Sequence, residues 1–297
     1  MLKVSVIMPT YKRADMLERA INSVLNQTYN DVELIVVDDN NPNTVYRKET
    51  SKVMKKYKNY NRVRYIKHER NMNGAVARNT GIFYSTGELI TFLDDDDWYD
   101  EKKIELQVDF LLKHKNYKAV YCGSYRNKEV YNPGLKGDLS FEILSGQITI
   151  RTNTIMMWKN IILEIGGWNE EFKRNQEAAL LLKFFDMNYK IGVITEPLVY
   201  YDLSDRSNAL DPKSNKNQFE FHLSYHDKII DKLERERKNA RKIIYTKRYR
   251  EILFAYLKRR EFKEAFKHYI ETVIKFPIYF NMEIVRYIIV RLFNRRH

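Results

Sequence analysis

Four short apolar runs mark the first hundred residues, and helical spacing fills the gaps between them. Val4–Met8 breaks at Pro9, and Glu33–Val37 ends in Asp38, Asp39, Asn40 and Asn41. Val63–Ile66 follows a Lys-rich polar stretch, and Leu89–Leu93 ends in Asp94, Asp95, Asp96 and Asp97. Met16, Leu17, Ala20, Ile21, Val24 and Leu25 recur at the period of an α-helix. The Lys-rich polar stretch, to about Tyr60, is expected to be helical, and a further helix to open at Gly74 and run to Tyr84. Short, continuously apolar runs suit strands buried on both faces, and their alternation with helices predicts a parallel sheet of βαβ units. Ligands bind such sheets beyond the carboxyl ends of the strands. Thr10-Tyr11, Asp38-Asp39 and Asp94 to Asp97 stand at three of those ends, so one edge of the sheet is the expected site.

Beyond Lys118 the pattern loosens. Short strands are expected at Ala119–Cys122 and Ile191–Ile194, with a helix over Gln176–Met187. From Asn217 onward the spacing is helical: Ile252–Tyr256 and Phe262–Val273 read as a hairpin, linked by Arg259-Arg260-Glu261. Tyr279–Phe293 reads as a further amphipathic helix carrying Arg286 and Arg291, with Arg295 and Arg296 behind it. Charge divides the chain at the same place. Of a net charge of +13, nearly all lies after residue 204, where 23 basic side chains face 12 acidic ones. The expected domains are therefore 1–204 and a basic helical region, 205–297. Such a tail suits a polyanionic partner, but no readout motif supports nucleic acid. Peripheral contact with an anionic membrane, or packing within the protein or against a second copy, are the readings left for it.

No run of 18 apolar residues offers a membrane span, and Val4–Met8 is too short for a signal peptide. The single cysteine, Cys122, has no partner for an internal disulfide, so a cytoplasmic location is expected, with room for attachment to the inner membrane face. Gly74, Gly81 and Gly87 do not form a dinucleotide fingerprint. His222 and His226 lack an acidic third ligand in metal spacing, so structural roles are expected of them.

The acidic run carries the chemistry. Four adjoining carboxylates at the end of a buried strand repel one another and resist burial. A divalent cation resolves that conflict, since Mg²⁺ or Mn²⁺ is commonly held by one or two carboxylates together with substrate phosphates.

Together with Val4-Ser5-Val6-Ile7-Met8-Pro9-Thr10-Tyr11, Ser23–Thr28, Glu33–Asp39, Asn79-Thr80-Gly81 and Ile165–Phe172, this run resembles the family 2 glycosyltransferases of GT-A fold, in order and spacing over residues 2 to 204. The resemblance implies an α/β, Rossmann-like, mostly parallel sheet flanked by helices, with the basic helical region behind it. It also implies a nucleotide-sugar donor, UDP-linked by the uridine pattern, and a glycan or lipid-linked acceptor. Tyr11 is similar to the aromatic that stacks on the base, with Thr10 beside it, and Asp39 to the acceptor for the uracil N–H. Asp94 and Asp95 match donor contacts, Asp96 with Asp94 the metal ligands of a DxD motif, and Arg78 the cation near the diphosphate. Arg206 matches loosely a residue on a loop that closes over the donor.

A sugar hydroxyl is a weak acid, so its attack needs a carboxylate to take the proton. The family places that base at a helix start after the Gly-Gly-aromatic loop, where this chain reads Gln176-Glu177-Ala178-Ala179. Glu177 stands where Asp is usual and is the candidate catalytic residue. Its extra methylene, and the alanines after it, leave a second reading open: a catalytically impaired nucleotide- or glycan-binding protein.

Overall fold

A computed structural model describes residues 1–126, 129–132, 134–204 and 211–294. Its described residues form a nine-stranded sheet. Strands β1 (Val4–Thr10), β2 (Val32–Asp38), β3 (Val63–Lys67) and β4 (Leu89–Phe92) run parallel in the order β3-β2-β1-β4. Register sets Thr10 opposite Asp38 and Ile7 opposite Phe92, so the polar strand ends meet at one edge as expected. Beyond β4 lie β8 (Ile155–Trp158), β6 (Ala119–Arg126), β9 (Ile191–Tyr201) and β5 (Trp98–Tyr99), while β7 (Glu129–Tyr131) pairs with β6. β8 is antiparallel to both neighbours, and β6 and β9 are parallel to each other.

Helices α1 (Ala14–Leu25), α2 (Val45–Lys55), α3 (Gly74–Tyr84), α4 (Lys103–Lys113), α5 (Ser140–Leu144), α6 (Lys159–Glu164) and α7 (Gln176–Asp186) follow the strands. α1 buries Leu17, Ala20, Ile21 and Val24, the spacing that marked it as a helix. α3 starts where the Asn73 side chain accepts from the N–H groups of Ala75 and Val76, and so caps the first turn.

Besides the unforeseen β5, β7, α4, α5 and α6, three features depart from the expected pattern. β8 was not anticipated, because Ile155-Met156-Met157-Trp158 is too short to display a period. β6 and β9 run past their expected ends. In β9 the polar Thr195-Glu196 and then Pro197 mask the strand, and Pro197 sits where the register against β6 shifts at Gly123. A proline is tolerated at such an irregularity, and a Cβ on Gly123 would lie only 3.0 Å from the Thr195 and Glu196 carbonyl oxygens. Finally, the chain forms two compact units, Met1–Leu139 with Ile150–Arg206 and Ser140–Thr149 with Ser207–His297. The segment 140–149 thus belongs with the helical unit, on the far side of the boundary drawn at 204.

That second unit comprises α5 with α8 (Pro212–Tyr225), α9 (Asp227–Glu236), α10 (Ala240–Lys258), α11 (Phe262–Lys275) and α12 (Pro277–Asn294). Phe219, Tyr249, Ile252, Leu253, Tyr256, Ala265 and Phe280 form its core. His222 and His226 are buried with ring centroids 4.7 Å apart, and burial pushes His222 down to about 3, as befits a neutral core group. The outer face is apolar as well. Phe262, Phe266, Ile270 and Ile274 line α11, and Ile278, Met282, Val285 and Ile289 continue along α12, all exposed. No helix among the described residues is long and apolar enough to cross a membrane.

In the sheet unit α3 packs tightly on β1. A Cβ on Gly81 would fall 2.3 Å from Ile7 Cγ2. Alanine normally stabilises a helix relative to glycine by nearly 1 kcal/mol. Here overpacking reverses the sign, and Gly81→Ala lowers the unfolding free energy by about 2 kcal/mol. Urea unfolding checks it; an unchanged or raised midpoint contradicts the packing.

Candidate active site

The buried β4 delivers Asp94 to Asp97 to the sheet edge, and partners from several elements meet the carboxylates. Arg78 Nη2 donates to Asp94 Oδ1 at 2.6 Å. The Tyr11 N–H donates to Asp95 Oδ2 at 3.2 Å, while Arg13 Nη1 reaches Asp96 Oδ2 at 2.9 Å and Asp95 Oδ1 at 3.5 Å. Asn153 works at both ends of the run. Its Oδ1 accepts from the Asp94 N–H at 3.1 Å, and its Nδ2 donates to Asp97, which also accepts from the Asp202 N–H at 2.9 Å. Arg19 Nη2 closes the far side, donating to the Asp96 carbonyl at 2.6 Å and to Asp202 Oδ2 at 2.8 Å.

These partners do not neutralise the run. Burial, then repulsion from Asp96, pushes Asp95 up to about 7. Burial and Asp94 push Asp96 to about 6, and burial with Asp96 and Asp94 pushes Asp97 to about 9. The edge therefore favours an added positive charge, whether proton or cation. Among the described residues no group of three or more His, Cys, Asp or Glu side chains makes a self-contained metal cage. The carboxylates of Asp94 and Asp96 fit the other mode of binding, in which one or two protein oxygens share a hard divalent cation with phosphate oxygens of a substrate.

Arg78 links this run to the opposite wall. Besides Asp94, it donates through Nη1 to Gln176 Oε1 at 3.0 Å, and its guanidinium lies 4.9 Å from the Trp168 ring centroid. Gln176 opens α7, so Arg78 ties the helix carrying Glu177 to the acidic run. Asn79 locks the loop between them. Its Nδ2 donates to the Trp168 carbonyl and its Oδ1 accepts from the Trp168 N–H, both at 2.9 Å. Gly166 and Gly167 adopt φ of +74° and +62° there, which accounts for the glycine pair. Glu177 is partly buried and its carboxyl is raised, first by desolvation, against the opposing pull of Arg78 and Arg151. Arg78, Asp94 and Glu177 thus share one electrostatic environment.

On the nucleotide side, Thr10 is buried and its carbonyl accepts from the Asp39 N–H at 3.0 Å. Tyr11 is 39% exposed, and the Lys12 ammonium stands 4.9 Å from its ring centroid. Asp39 is engaged more fully than a free base acceptor would be. Its oxygens accept from the Met72 N–H (2.8 Å), the Asn73 N–H (3.0 Å) and Asn71 Nδ2 (2.8 Å), and lie 2.7 Å from His68 Nδ1. It holds the loop that leads into α3 and Arg78. Arg206 lies outside the described residues.

Sequence reasoning passed over Arg13, Arg19 and Asn153, and also Lys103. Arg13 carried a usable signal, two residues past a strand end that faces an acidic cluster. Asn153 precedes the unanticipated β8 and had none. Lys103 is wholly buried beneath β4, with Nζ donating to Thr91 Oγ1 (2.9 Å) and Gln107 Oε1 (2.8 Å), and desolvation pushes it down to about 7.

A model of glycosyl transferase family 2 matches residues 5–166. The poly(ribitol-phosphate) beta-N-acetylglucosaminyltransferase TarP of Staphylococcus aureus is 31% identical over 235 residues, covering 74% of this chain and 69% of TarP. A glycosyltransferase of Rickettsia felis is 29% identical over 68% of this chain, which spans only 37% of that relative's length. Among solved structures, S. aureus TarS residues 1–349 in complex with UDP-GlcNAc matches with a TM-score of 0.60 at 17% identity, over 86% of this chain and 81% of that one. The likeness to TarS establishes a shared fold.

Two outcomes follow from these contacts. Arg78→Gln strands Asp94 and unties α7, costing about 2 kcal/mol of unfolding free energy, and Arg78→Lys does not recover it, since an ammonium lacks the fork that spans Asp94 and Gln176. For Lys103 the sign is set by linkage. Between pH 7 and its ordinary value near 10.4 the unfolded chain binds a proton that the folded chain does not, so stability rises with pH. The stability of the wild type relative to Lys103→Met therefore increases from pH 7 to 9, by on the order of 1 kcal/mol per unit. Urea titrations at the two pH values decide it, and a constant difference contradicts the buried amine.

Proposed function

The chain belongs to glycosyl transferase family 2, and on that basis we propose that it moves a sugar from a UDP-linked donor to a hydroxyl of a cell-surface glycan or lipid-linked oligosaccharide, with inversion at the anomeric carbon. The observation that carries this reading is the Arg78 bridge, which brings a charge-surplus acidic run and a desolvated carboxylate into one site. In it the Tyr11 ring is the stacking surface for the base, beside Thr10. Asp39 sets the loop around the base, and a uracil N–H reaches it by displacing the Asn71 amide. Asp95 orients the donor through the Tyr11 backbone and Arg13. Asp94 and Asp96 would hold Mn²⁺ or Mg²⁺, which supplies neutralisation of the departing diphosphate when bound. Arg78 adds a fixed positive charge on the same side, and Arg206 remains a candidate for the diphosphate.

Glu177 takes the proton from the acceptor hydroxyl as the oxygen attacks from the face opposite the leaving group, a displacement that inverts configuration. A carboxyl raised by desolvation suits that task at neutral pH, because the stronger base is the one poised near the working pH. Acceptors named for relatives support the acceptor class: poly(ribitol-phosphate) for TarP, and a diphospho-undecaprenol-linked glycan for a glucosyltransferase of Campylobacter jejuni that is 29% identical over 76% of this chain and 72% of its own length. The Glu177-Ala178-Ala179 departure favours the second reading, a nucleotide- or glycan-binding protein without turnover.

A panel of nucleotide sugars assayed with Mn²⁺ separates the two readings. Donor turnover supports transfer, and UDP binding with no turnover of any donor supports the binding protein. Asp96→Ala is expected to abolish metal-dependent turnover with the fold intact. Glu177→Gln is expected to keep UDP binding and lose a factor on the order of 10² or more in rate. Because Glu177 must be ionised to act and its carboxyl is raised, the rate climbs with pH through a limb above the ordinary carboxylate range. A variant at over half the normal rate removes Glu177 from the mechanism.

We further propose that the helical unit attaches to an anionic membrane surface, which would confine the enzyme beside a lipid-linked acceptor. Its support is the exposed stripe of α11 and α12 flanked by Lys263, Lys267, Lys275 and Arg286, the composition of an interfacial helix. Sedimentation with liposomes tests it: salt-sensitive binding to anionic vesicles alone, lost on Phe262→Ser/Phe266→Ser, is expected. A concentration-dependent dimer with no vesicle binding assigns the stripe to a second copy instead.

A further inference from the structure

The arginines at the sheet edge fall into two groups. Arg13, Arg19, Arg47 and Arg78 each form an ion pair with a carboxylate. Arg126 and Arg151 form no such pair among the described residues, although Arg126 stands opposite Glu129 in the β6–β7 ladder and feels its charge. They are nevertheless held together. Register in the β6–β9 pair sets Arg126 beside Tyr201, and the Arg151 guanidinium lies over that same ring, 5.4 Å from its centroid. The Arg151 backbone is fixed by Thr154, whose N–H and hydroxyl donate to its carbonyl at 3.0 and 2.7 Å. Its Nε is buried with no acceptor. Arg126 is pushed down first by burial and next by Arg151, with Glu129 opposing.

Two half-buried guanidinium groups brought together with one carboxylate, Glu129, near only Arg126 carry a surplus of positive charge, which is costly until paired. Paired forks match a tetrahedral anion, whose oxygens can accept from both, better than a single carboxylate, which one fork saturates. Two further observations describe what surrounds the pair. Arg151 acts electrostatically on Glu177, so it lies within range of the proton-accepting group. Tyr201, under Arg151, also lines a cavity of about 360 Å³ bounded by Trp98, Tyr125, Tyr200, Asp202 and Ser204, so the arginines adjoin that cavity through Tyr201 without lining it. Trp98, Tyr200 and Tyr125 stand in a stack across three neighbouring strands, with ring centroids 5.4 and 4.7 Å apart. An aromatic wall with a few polar groups is the usual lining of a small-molecule site.

We infer that Arg126 and Arg151 form a phosphate subsite for the acceptor, so that the hydroxyl offered to Glu177 belongs to a phosphate-bearing glycan. This inference rests on the glycosyltransferase reading above for the word acceptor, and on the two arginines alone for the anion. The phosphate has two sources of the same chemistry, a phosphodiester within a glycan chain or the diphosphate of a lipid carrier. Glycerophosphoglycerol stands in for the first and geranyl diphosphate for the second.

The experiment titrates each probe, by calorimetry or ³¹P line broadening, into the full chain held at saturating UDP so that the donor side is filled. One probe is expected to bind at millimolar concentration, and the responding probe identifies the source. Arg126→Gln/Arg151→Gln is expected to weaken that binding at least tenfold while UDP affinity stays within twofold. Arg151→Lys, which keeps the charge and loses the fork, is expected to fall between, and it guards against a double variant that does not fold. Binding of neither probe to the wild type overturns the subsite, as does binding that survives in a folded double variant. If UDP does not bind yet a probe binds and depends on the arginines, the donor reading fails and the anion subsite stands.

Discussion

Everything at the sheet edge answers to a surplus of negative charge. Four carboxylates follow a wholly buried strand, and the chain does not cancel them. It distributes them instead. Arg13 comes from the turn after β1, Arg78 from α3, Arg19 from α1, Asn153 from the turn before β8, and the Asp202 N–H from the end of β9. Segments more than a hundred residues apart in sequence converge on one short run. A buried cluster that remains partly protonated at neutral pH is poor architecture for stability alone. It does favour an added positive charge, since burial and mutual repulsion already raise Asp95, Asp96 and Asp97.

Most of this was legible in the sequence where local physics decides structure. Continuous apolar runs ending in polar residues identified β1 to β4, and the carboxyl-end rule placed the site. Glu177 and Arg78 became candidates through a resemblance, and the structure links their elements by a guanidinium shared between Asp94 and Gln176. What escaped was decided by tertiary context. Nothing in Ile155–Trp158 announces that these four residues slot between β4 and β6. Nothing local to Ser140–Thr149 assigns it to the helical unit either, where Arg248 donates to the carbonyls of Leu144 (2.8 Å) and Ile143 (2.5 Å). Asp39 is instructive in another way: its position at a strand end was right, but only the fold reveals how many loop donors already occupy it.

The helical unit follows a different logic. Its inner faces make a small core around Ile252 and Phe280, and charge pairs such as Arg241 with Asp227 and Asp231 dress its polar side. The expected amphipathic terminal helix is present, with Phe280 buried and Ile284 and Tyr287 half-buried. Its other apolar side, and the α11 stripe leading to it, stay uncovered. The tail therefore both packs inward and presents a surface, where sequence alone offered these as rivals. The side chains of Arg291 and Leu292, with Arg295 and Arg296, lie outside the described residues.

The position of β8 also governs how the molecule is made. β4 gains its inner neighbour, β1, early, but its outer edge stays open until residues 155–158 arrive, and β5 has no partner until β9 is complete at Tyr201. Long-range pairing of this kind slows folding and leaves an exposed strand edge on the way. On a ribosome the first four strands can associate while the acidic run still lacks Asn153 and the Asp202 N–H. The charge cluster thus has its full set of partners only after β9 is in place, so its completion reports that the whole unit, not merely its first half, has reached its final topology.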